Sequence, residues 1–329
     1  MNKMKSILIM SILLVSIFMI LSPVSAATFN VYPSDDIEAI IEAASTGDTI
    51  YVHAGTYLID DTIIINADNI SIIGDSPFNT IIDATSSGGG GFYSLKKYIT
   101  IKNITVRNAP GYGILMDQQN VGGNWVGGEY ATIENCITHN NGFAYVENGI
   151  LVADYATVKN CLSFNNGCDG IGDNGYSTFI NCTSFGNVYD GFYSDDGGTK
   201  VINCIAVGNG DNGFDIENNI SSEVIYCNAW NNLNGNYDET PAGTGSISVD
   251  PKFVDGINTF YLLPSSPCVD KGSTSSAALG LYEGFTTRTD GIWDKGTIDM
   301  GFHYASNNSP PPSGLPIYRI LKILKENQE

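Results

Sequence analysis

Basic residues are scarce in this sequence. Its 329 residues include 15 lysines and arginines against 35 aspartates and glutamates, so the formal net charge is −20 at pH 7. A surface of this kind repels nucleic acids and anionic membranes, and we expect no nucleic-acid partner. An anionic polysaccharide would have to bind through bridging cations or a local basic patch, and the repeated part of the chain shows no basic cluster.

Histidine is also rare, and the three present are His53, His139 and His303. None of them belongs to a constellation with serine or cysteine, so the sequence does not support a nucleophilic triad. The sequence also lacks the clustered histidines and the paired ligand spacing that are typical of zinc sites. Acidic side chains are therefore the main candidates for chemistry.

Long apolar runs are missing after the first residues. Residues 7–21 form an apolar run that follows Lys3 and Lys5 and precedes small residues ending at Ala26. This order is typical of a secretory signal peptide, predicted over residues 1–26, with an uncleaved anchor as the alternative. No other run is long enough to span a bilayer. Either way, the predicted location is secreted or at the cell surface.

What the sequence does contain is a repeat. Five cysteines recur at steps of 25, 21, 22 and 23 residues, each in a near copy of one phrase. A unit of about 22 residues cannot bury its own apolar face, so copies must stack into a shared core. The cysteines of the repeat are Cys136, Cys161, Cys182, Cys204 and Cys227.

Each copy contains three short strands. The first alternates apolar and polar residues before a turn, as Thr132 to Cys136 does, which is the period of a half-buried strand. A second stretch leads to a turn with asparagine or glycine, and a Gly-apolar step such as Gly149-Ile150 opens the third strand. With no helical stretch between them, these strands predict an all-β fold, a parallel β-helix, over residues 27–245.

Stacking of the copies predicts columns of equivalent side chains. The cysteines are predicted to form an inward row, because stacked residues lie about 4.8 Å apart and disulfides need Cβ atoms about 3.8 Å apart. A metal-binding row is the alternative. Cys168 and Cys268 lie off the row and are either free or paired. A column of turn asparagines is expected to fix one bend, formed by Asn103, Asn135, Asn160, Asn181 and Asn203.

An N-terminal helix is predicted to close the open end of the stack. Residues 35–38 resemble a capping box, and Ile37, Ile40, Ile41 and Ala44 fall on one helical face. A helix there would cover strand edges that otherwise promote aggregation.

Two phrases near the start, Gly47 to Val52 and Gly55 to Tyr57, resemble the first coils of the pectin-lyase-like right-handed parallel β-helix superfamily. The resemblance covers residues 28–240 and implies a single-stranded right-handed β-helix. Its members include lyases, hydrolases, epimerases and surface proteins of no known activity, so the fold does not fix the function.

The end of the chain departs from the repeat. Phrases within residues 246–305 resemble a closing segment of exported β-helix proteins, which implies a C-terminal cap where Cys268, Asp270 and Asp299 are structural. Residues 306–329 read as a proline-rich linker and a short basic amphipathic tail. The tail is either a peripheral contact with the membrane, envelope or a partner, or a remnant without function.

The candidate site lies on the third strand of the coils, which bears the active sites in this superfamily. Carboxylates on adjacent coils lie about 5 Å apart, an arrangement that is unfavourable without a cation and that suits Ca²⁺. The predicted metal ligands are Asp169, Asp190, Asp211 and Asp215. The predicted substrate contacts are Tyr193, Asp195, Glu217 and Trp125. Trp125 belongs to an insertion at residues 118–130 that forms either a binding wall or a shield.

A sharper resemblance concerns residues 211–215, preceded by Asp190. They are similar to the calcium motif of the ninth family of polysaccharide lyases, where four aspartates hold Ca²⁺ and a lysine removes the proton. Asp190, Asp211 and Asp215 match that motif, and Asn212 replaces an aspartate. No lysine or arginine lies between Asp215 and Ser246, so β-elimination lacks its base and no catalytic residue is assigned.

Two functions follow as hypotheses. The first is an exported, monomeric protein that binds or acts on polysaccharide at the cell envelope, as a lyase or as a glycoside hydrolase with two carboxylates if it is an enzyme. The second is a non-catalytic structural or adhesion module of the cell surface. The aspartate cluster favours the first, and the missing lysine favours the second.

Overall fold

The computed structural model describes residues 25–305 except 145, 219–220 and 257–258. The predicted signal peptide lies almost wholly outside the described residues, and the predicted linker and tail lie entirely outside them. In the part of the chain that is described, no helix is both long enough and apolar enough to cross a membrane.

The chain winds repeatedly through three parallel sheets. The first sheet has nine strands in the order β1 (Thr28–Val31), β2 (Thr49–Val52), β5 (Ser71–Gly74), β8 (Thr100–Lys102), β13 (Thr132–Glu134), β16 (Thr157–Lys159), β19 (Thr178–Ile180), β22 (Lys200–Ile202) and β25 (Glu223–Ile225).

The second and third sheets have eight strands each. The second contains β3 (Gly55–Leu58), β6 (Thr80–Asp83), β9 (Thr105–Arg107), β14 (Ile137–His139), β17 (Leu162–Phe164), β20 (Thr183–Phe185), β23 (Ile205–Val207) and β26 (Asn228–Trp230). The third contains β4 (Ile63–Ile65), β7 (Phe92–Ser94), β10 (Ile114–Met116), β15 (Ile150–Val152), β18 (Ile171–Asp173), β21 (Phe192–Ser194), β24 (Asn212–Ile216) and β27 (Gly235–Asp238).

Every strand of these sheets pairs with its equivalent one coil away. Thr132, for example, lies in register with Thr100 on one side and with Thr157 on the other. Successive visits to the same sheet are therefore stacked copies, as the repeat predicts. The fold is a parallel β-helix, and the predicted all-β class is confirmed.

The cysteine row lies inside the stack as predicted. All five of its cysteines are fully buried, and none of the seven cysteines forms a disulfide. Hydrogen bonds of these cysteines link successive coils. The Cys161 backbone N–H donates to Cys182 Sγ at 3.4 Å, and the Cys161 thiol donates to the Ile133 carbonyl at 3.5 Å. Cys168 and Cys268 are free thiols.

The turn asparagines lie in the predicted column between the first and second sheets. Amide–amide bonds join its members except at the step from Asn160 to Asn181, where both side chains donate to backbone carbonyls of residues 299–303. Asn135 Nδ2 donates to Asn103 Oδ1 at 2.7 Å, and Asn160 Nδ2 donates to Asn135 Oδ1 at 3.2 Å. The φ angles are positive, 59° at Asn103 and 54° at Asn135, a region that asparagine tolerates. This column fixes the corner by side-chain amides as well as by backbone pairing.

The predicted N-terminal helix is α1 (Ile37–Glu42). Asp36 caps it by accepting a hydrogen bond from the Ala39 backbone N–H at 3.0 Å, while Ile37 and Ile41 are buried in the core of the first coils. The predicted capping box is incomplete. Glu38 accepts from the backbone N–H groups of Asp60 and Asp61 instead, so it ties the helix to a neighbouring turn.

Residues 247–305 lie along the side of the stack. They contain the pair β28 (Phe253–Gly256) and β29 (Thr259–Leu262), the helix α2 (Ser276–Leu279) and the pair β30 (Phe285–Thr286) and β31 (Tyr304–Ala305). We call these residues the C-terminal segment. Their apolar side chains pack against the outward residues of the second sheet, where Leu162, Phe164 and Ile205 are buried. The predicted cap thus covers a face of the β-helix.

One antiparallel hairpin interrupts the coils. It is formed by β11 (Gln119–Val121) and β12 (Asn124–Val126), directly after β10 of the third sheet. This hairpin corresponds to the glycine-rich insertion of the sequence.

Candidate functional site

The outward side of the third sheet carries the predicted site. Alternation along β21 and β24 turns Phe192 and Phe214 into the core, where their rings stack with centroids 5.0 Å apart. Tyr193 and Asp215 alternate with them and lie in register on the outer side, half-buried. The two-residue period of a strand is thus what exposes these two side chains.

A ladder of amide and carboxylate side chains precedes the strands of this sheet. The Asp169 backbone N–H donates to Asn148 Oδ1 at 3.2 Å, and the Asp190 N–H to Asp169 Oδ1 at 2.9 Å. The Asn212 N–H donates to Asp190 Oδ1 at 2.7 Å. Asp190 is therefore held in place through one oxygen, whereas Asp169 also accepts a hydrogen bond from the Cys168 thiol through Oδ2 at 3.7 Å. Both aspartates are buried.

Asp211 lies one residue outside this ladder. It is Asn212 that stands in register with Asp190, and Asp211 accepts instead from Asn234 Nδ2 at 2.6 Å. Asn212, which replaces an aspartate of the lyase motif, therefore occupies the ladder position. An amide there supplies one oxygen and no charge, which lowers the charge of the cluster.

The carboxylates influence one another. Burial, assisted by the charges of Asp169, Asp215 and Asp211, raises the pKa of Asp190 to about 7. Burial also raises the pKa of Asp215 to about 6, assisted by Asp238 and Glu239. Burial likewise raises the pKa of Asp169. Like charges at this density favour protons or a bound cation.

The geometry does not by itself assemble a metal site here. Among the described residues, the group of three or more acidic side chains with ligand atoms within 4.8 Å of one another is Asp270, Asp294 and Asp299. The oxygens of Asp169, Asp190, Asp211 and Asp215 are not gathered to that extent, so their role as ligands stays a prediction. Carboxylate oxygens alone are nevertheless the donors that Ca²⁺ prefers.

The closer cluster lies in the C-terminal segment and is bonded internally. His303 Nε2 lies 2.7 Å from Asp294 Oδ2, and the Asp270 backbone N–H donates to Asp299 Oδ1 at 2.7 Å. The Asp299 backbone N–H donates to Asp294 at 2.8 Å. Protein groups therefore engage these carboxylates, which fits the structural role that the resemblance implies for Asp299.

Of the predicted substrate contacts, two meet directly. The Tyr193 hydroxyl donates to Asp195 Oδ1 at 3.0 Å, and burial together with Asp195 raises the pKa of this phenol. Glu217 is half-buried on the same side, one coil after Asp195. Trp125 is 63% exposed on β12, on the hairpin that leaves the stack three coils before Tyr193. All four assignments stay predictions.

Sequence reasoning missed an interruption in the outward side chains of this sheet. Gly172 takes the outward position between Leu151 and Tyr193. A β-carbon there would lie 3.0 Å from Asn148 Nδ2 and 3.2 Å from Leu151 Cδ1, so these two side chains already occupy the space beside the buried glycine. The signal in the sequence was a glycine where the other coils have a large side chain.

A catalytic base is the missing component. None of the eight strands of the third sheet contains lysine or arginine. The strands of the first sheet carry three lysines, Lys102, Lys159 and Lys200, of which the first two bind Glu134. The described geometry therefore offers carboxylates and a phenol at the site, which can bind a cation and hydroxyl groups.

Comparisons with known proteins agree with the fold. The sequence matches the family described as "Pel9A-like, right handed beta helix region" over residues 23–246. No curated protein sequence matches the chain.

Similar solved structures include three carbohydrate-active proteins. The crystal structure of pectate lyase Pel9A is 16% identical, with a TM-score of 0.49, over 85% of this chain and 98% of that chain. A rhamnogalacturonan lyase is 16% identical, with a TM-score of 0.52, over 67% and 72%. The A-module of mannuronan C-5 epimerase AlgE4 from Azotobacter vinelandii is 15% identical, with a TM-score of 0.36, over 66% and 76%. At such identities the likeness concerns the fold alone.

The family match covers more than half of the chain, including every coil that carries the acidic ladder. Together with the three parallel sheets, this match fixes the hand of the solenoid. The chain belongs to the Pel9A-like right-handed β-helix family.

Proposed function

We propose that the outer face of the third sheet binds an acidic polysaccharide through Ca²⁺. The observation that carries the proposal is that Asp169, Asp190, Asp211 and Asp215 lie on adjacent coils and repel one another. Burial, together with the charges of the other three carboxylates, raises the pKa of Asp190 to about 7. A divalent cation relieves this repulsion, and its remaining coordination positions accept carboxylates of a polymer. The ion would thereby join two anionic partners that otherwise repel each other.

Each residue then has a distinct part in binding. The ladder fixes Asp190 and Asp169, and Asp190 offers its second oxygen to the ion. Asp169 offers Oδ2 in competition with the weak hydrogen bond from the Cys168 thiol, and Asp215 contributes from the strand. The ion supplies charge neutralisation for a uronate. Tyr193 lies next to these carboxylates, where a sugar ring would contact its aromatic side chain.

We place this activity outside the cell, on a monomeric protein at the envelope. The support is the apolar N-terminal run and the acidic composition, both of which suit a calcium-containing exterior. Family membership supports a polysaccharide as the ligand, because the chain shares its fold with lyases that act on such polymers.

Calcium titration by calorimetry tests the site. We expect binding by the wild-type protein at pH 8, at least 10-fold weaker binding by Asp190→Asn and Asp215→Asn, and unchanged binding by the exposed control Asp60→Asn. Because protons compete for carboxylates with raised pKa values, the affinity should fall between pH 8 and pH 5.5. Equal calcium affinity in all variants would contradict the proposal.

Polymer binding and turnover are measured separately. Gel retardation by polygalacturonate should require Ca²⁺, and absorbance of an unsaturated product should stay at background because the base is missing. Product formation would show that the chain is a lyase with a base elsewhere. If neither calcium nor polymer binds, the second candidate stands: a structural module of the surface, favoured by the absence of lysine and arginine from the third sheet.

A further inference from the structure

Four exposed tyrosines form a continuous stack along the corner between the third and first sheets. Successive ring centroids are 5.1, 5.4 and 5.3 Å apart, and successive ring planes differ by 9°, 15° and 27°. Between 37% and 53% of each residue is exposed. The stack consists of Tyr98, Tyr130, Tyr155 and Tyr176.

The backbone of this corner does not require tyrosine. The four residues have φ angles of 58° to 62°, a left-handed conformation that is unfavourable for most side chains. The other two corners of the same coils use this conformation too and fill it with asparagine or glycine, as at Asn135, Asn165 and Gly186. Tyrosine at the third corner therefore contributes its aromatic surface, which the turn alone does not need.

The stack lies beside a row of hydroxyl groups. Two residues after each tyrosine, a threonine takes the first outward position of the first sheet, in register from coil to coil. Because neighbouring rings cover one another's faces, the edges and phenol groups face solvent. The threonines are Thr100, Thr132, Thr157 and Thr178.

Several of the charges next to these rows form ion pairs. Lys97 Nζ lies 3.0 Å from Glu129, and Glu134 binds both Lys102 at 2.6 Å and Lys159 at 3.0 Å. Asp154, the residue before Tyr155, has no basic partner among the described residues, and its Oδ1 accepts no hydrogen bond from them. The face therefore has no row of unpaired lysines to attract an anionic ligand, and its unpaired carboxyl group favours a neutral ligand over an anionic one.

We propose that this tyrosine–threonine face binds a neutral polysaccharide strand that runs along the axis of the β-helix. Aromatic edges and rows of hydroxyl groups suit a polymer rich in hydroxyls, and rows that repeat at every coil suit a polymer with a short repeat. The centre of the face is polar and carries charged groups, whereas protein-binding patches are depleted of charge at their centre. The site needs no cation, so it is independent of the acidic site.

Affinity electrophoresis of the full chain tests this inference, with hydroxyethyl cellulose, galactomannan and starch as three separate probes. We expect retardation by at least one polymer, persisting in EDTA, and at least 5-fold weaker binding by Tyr130→Asn/Tyr155→Asn. Asparagine tolerates the left-handed turn, so the variant should keep its fold, as circular dichroism would verify. The matched control is Tyr282→Asn, an exposed tyrosine of the C-terminal segment.

Three results would overturn the inference. One is the lack of retardation in every gel, and another is equal retardation of the double variant and the wild type. The third is self-association in sedimentation that disappears in the double variant, which would make a second copy of the chain the occupant. Asp190→Asn separates the two proposals, because it should abolish calcium-dependent binding of polygalacturonate and leave the neutral polymer bound.

Discussion

Asp173 is a buried carboxyl group that the β-helix satisfies only in part. It is fully buried at the end of β18, where one oxygen accepts from the Ser177 N–H at 3.1 Å and the Thr199 hydroxyl at 2.8 Å. Its other oxygen has no hydrogen-bond donor among the described residues. Burial raises the pKa of Asp173 to about 6, against a usual value of 3.8, despite the bonds from Thr199, Ser194 and Ser177.

We predict that Asp173→Asn stabilises the protein above pH 7 by about 1–3 kcal/mol, since a shift of two pKa units corresponds to about 3 kcal/mol. The folded state takes up a proton more readily than the unfolded state between pH 4 and 6. The free energy of unfolding of the wild type therefore falls as pH rises through that range and stays lower above it.

Urea unfolding at pH 3.5 and pH 8 measures this difference. The two proteins should be about equally stable at pH 3.5, where the carboxyl is neutral in both states, and should diverge at pH 8. Asp60→Asn, at an exposed position, controls for the change in net charge. A variant less stable than the wild type at pH 8 would show that the carboxylate is charged and satisfied in the fold.

The residues of the candidate site could be predicted only in part from the sequence. Spacing placed Tyr193 and Asp215 on the outward side, because alternation along a strand is regular. It did not decide between Asp211 and Asn212 for the ladder position, since a turn has no fixed period. Only the backbone register, with the Asn212 N–H on Asp190, separates the two.

At the scale of elements, the corners hold the coils together through side chains. A second asparagine column lies inside the stack, between the second and third sheets, where the sequence suggested simple turns. Asn187 Oδ1 accepts from both the backbone N–H and Nδ2 of Asn166 at 3.0 Å, and Asn187 Nδ2 donates to Asn209 Oδ1 at 3.1 Å. The column consists of Asn141, Asn166, Asn187, Asn209 and Asn232.

We predict that Asn187→Leu lowers the free energy of unfolding by at least 3 kcal/mol. Leucine has the same branching as asparagine but a larger volume and no polar atoms, so the substitution leaves the Asn166 backbone N–H and the Ser184 hydroxyl without a partner. Each orphaned buried group costs about 1–3 kcal/mol. Thermal and urea unfolding measure the loss. Asn124→Leu on the exposed hairpin is the matched control, and an equally small effect of both changes would mean that the column is dispensable.

The sequence predicted the cysteine and outer asparagine columns because each repeats within a recognisable phrase. It did not predict the tyrosine stack, for two physical reasons. The insertion at residues 118–130 separates Tyr98 from Tyr130 and breaks the period at this corner. Tyrosine is also not a turn former, so its left-handed backbone at four coils is visible only in the structure.

At the scale of the whole molecule, the C-terminal segment changes how the β-helix responds to damage. A solenoid contacts only its neighbours, so its stability is nearly a sum over coils. Here one segment crosses several coils, because Asn160 donates to the His303 carbonyl at 2.9 Å and Asn181 to the Asp299 carbonyl at 2.9 Å. The Ser273 N–H reaches Asn203 Oδ1 at 2.8 Å. These bonds join successive coils into one unit.

The apolar contact of this segment is centred on Phe260. Its ring lies 5.3 Å from that of Phe164 and 4.5 Å from that of Phe185, centroid to centroid, on two adjacent coils of the second sheet. The family match ends at residue 246, so this contact lies outside the matched region although it covers the matched coils. The coils alone would expose a contiguous apolar face, which is an aggregation hazard.

We predict that Phe260→Ala in the full chain destabilises the covered coils as a group, by about 3–5 kcal/mol for the loss of a buried phenylalanine ring. Hydrogen exchange followed by mass spectrometry should show faster exchange from β16 to β23 as well as in the C-terminal segment, while β1 to β6 keep their protection. Ile37→Ala creates a cavity at the opposite end of the stack and should give the reverse pattern, with faster exchange in β1 to β6 and unchanged exchange from β16 to β23. Faster exchange confined to residues 247–305 after Phe260→Ala would mean instead that the segment unfolds alone and that the coils are stable without it.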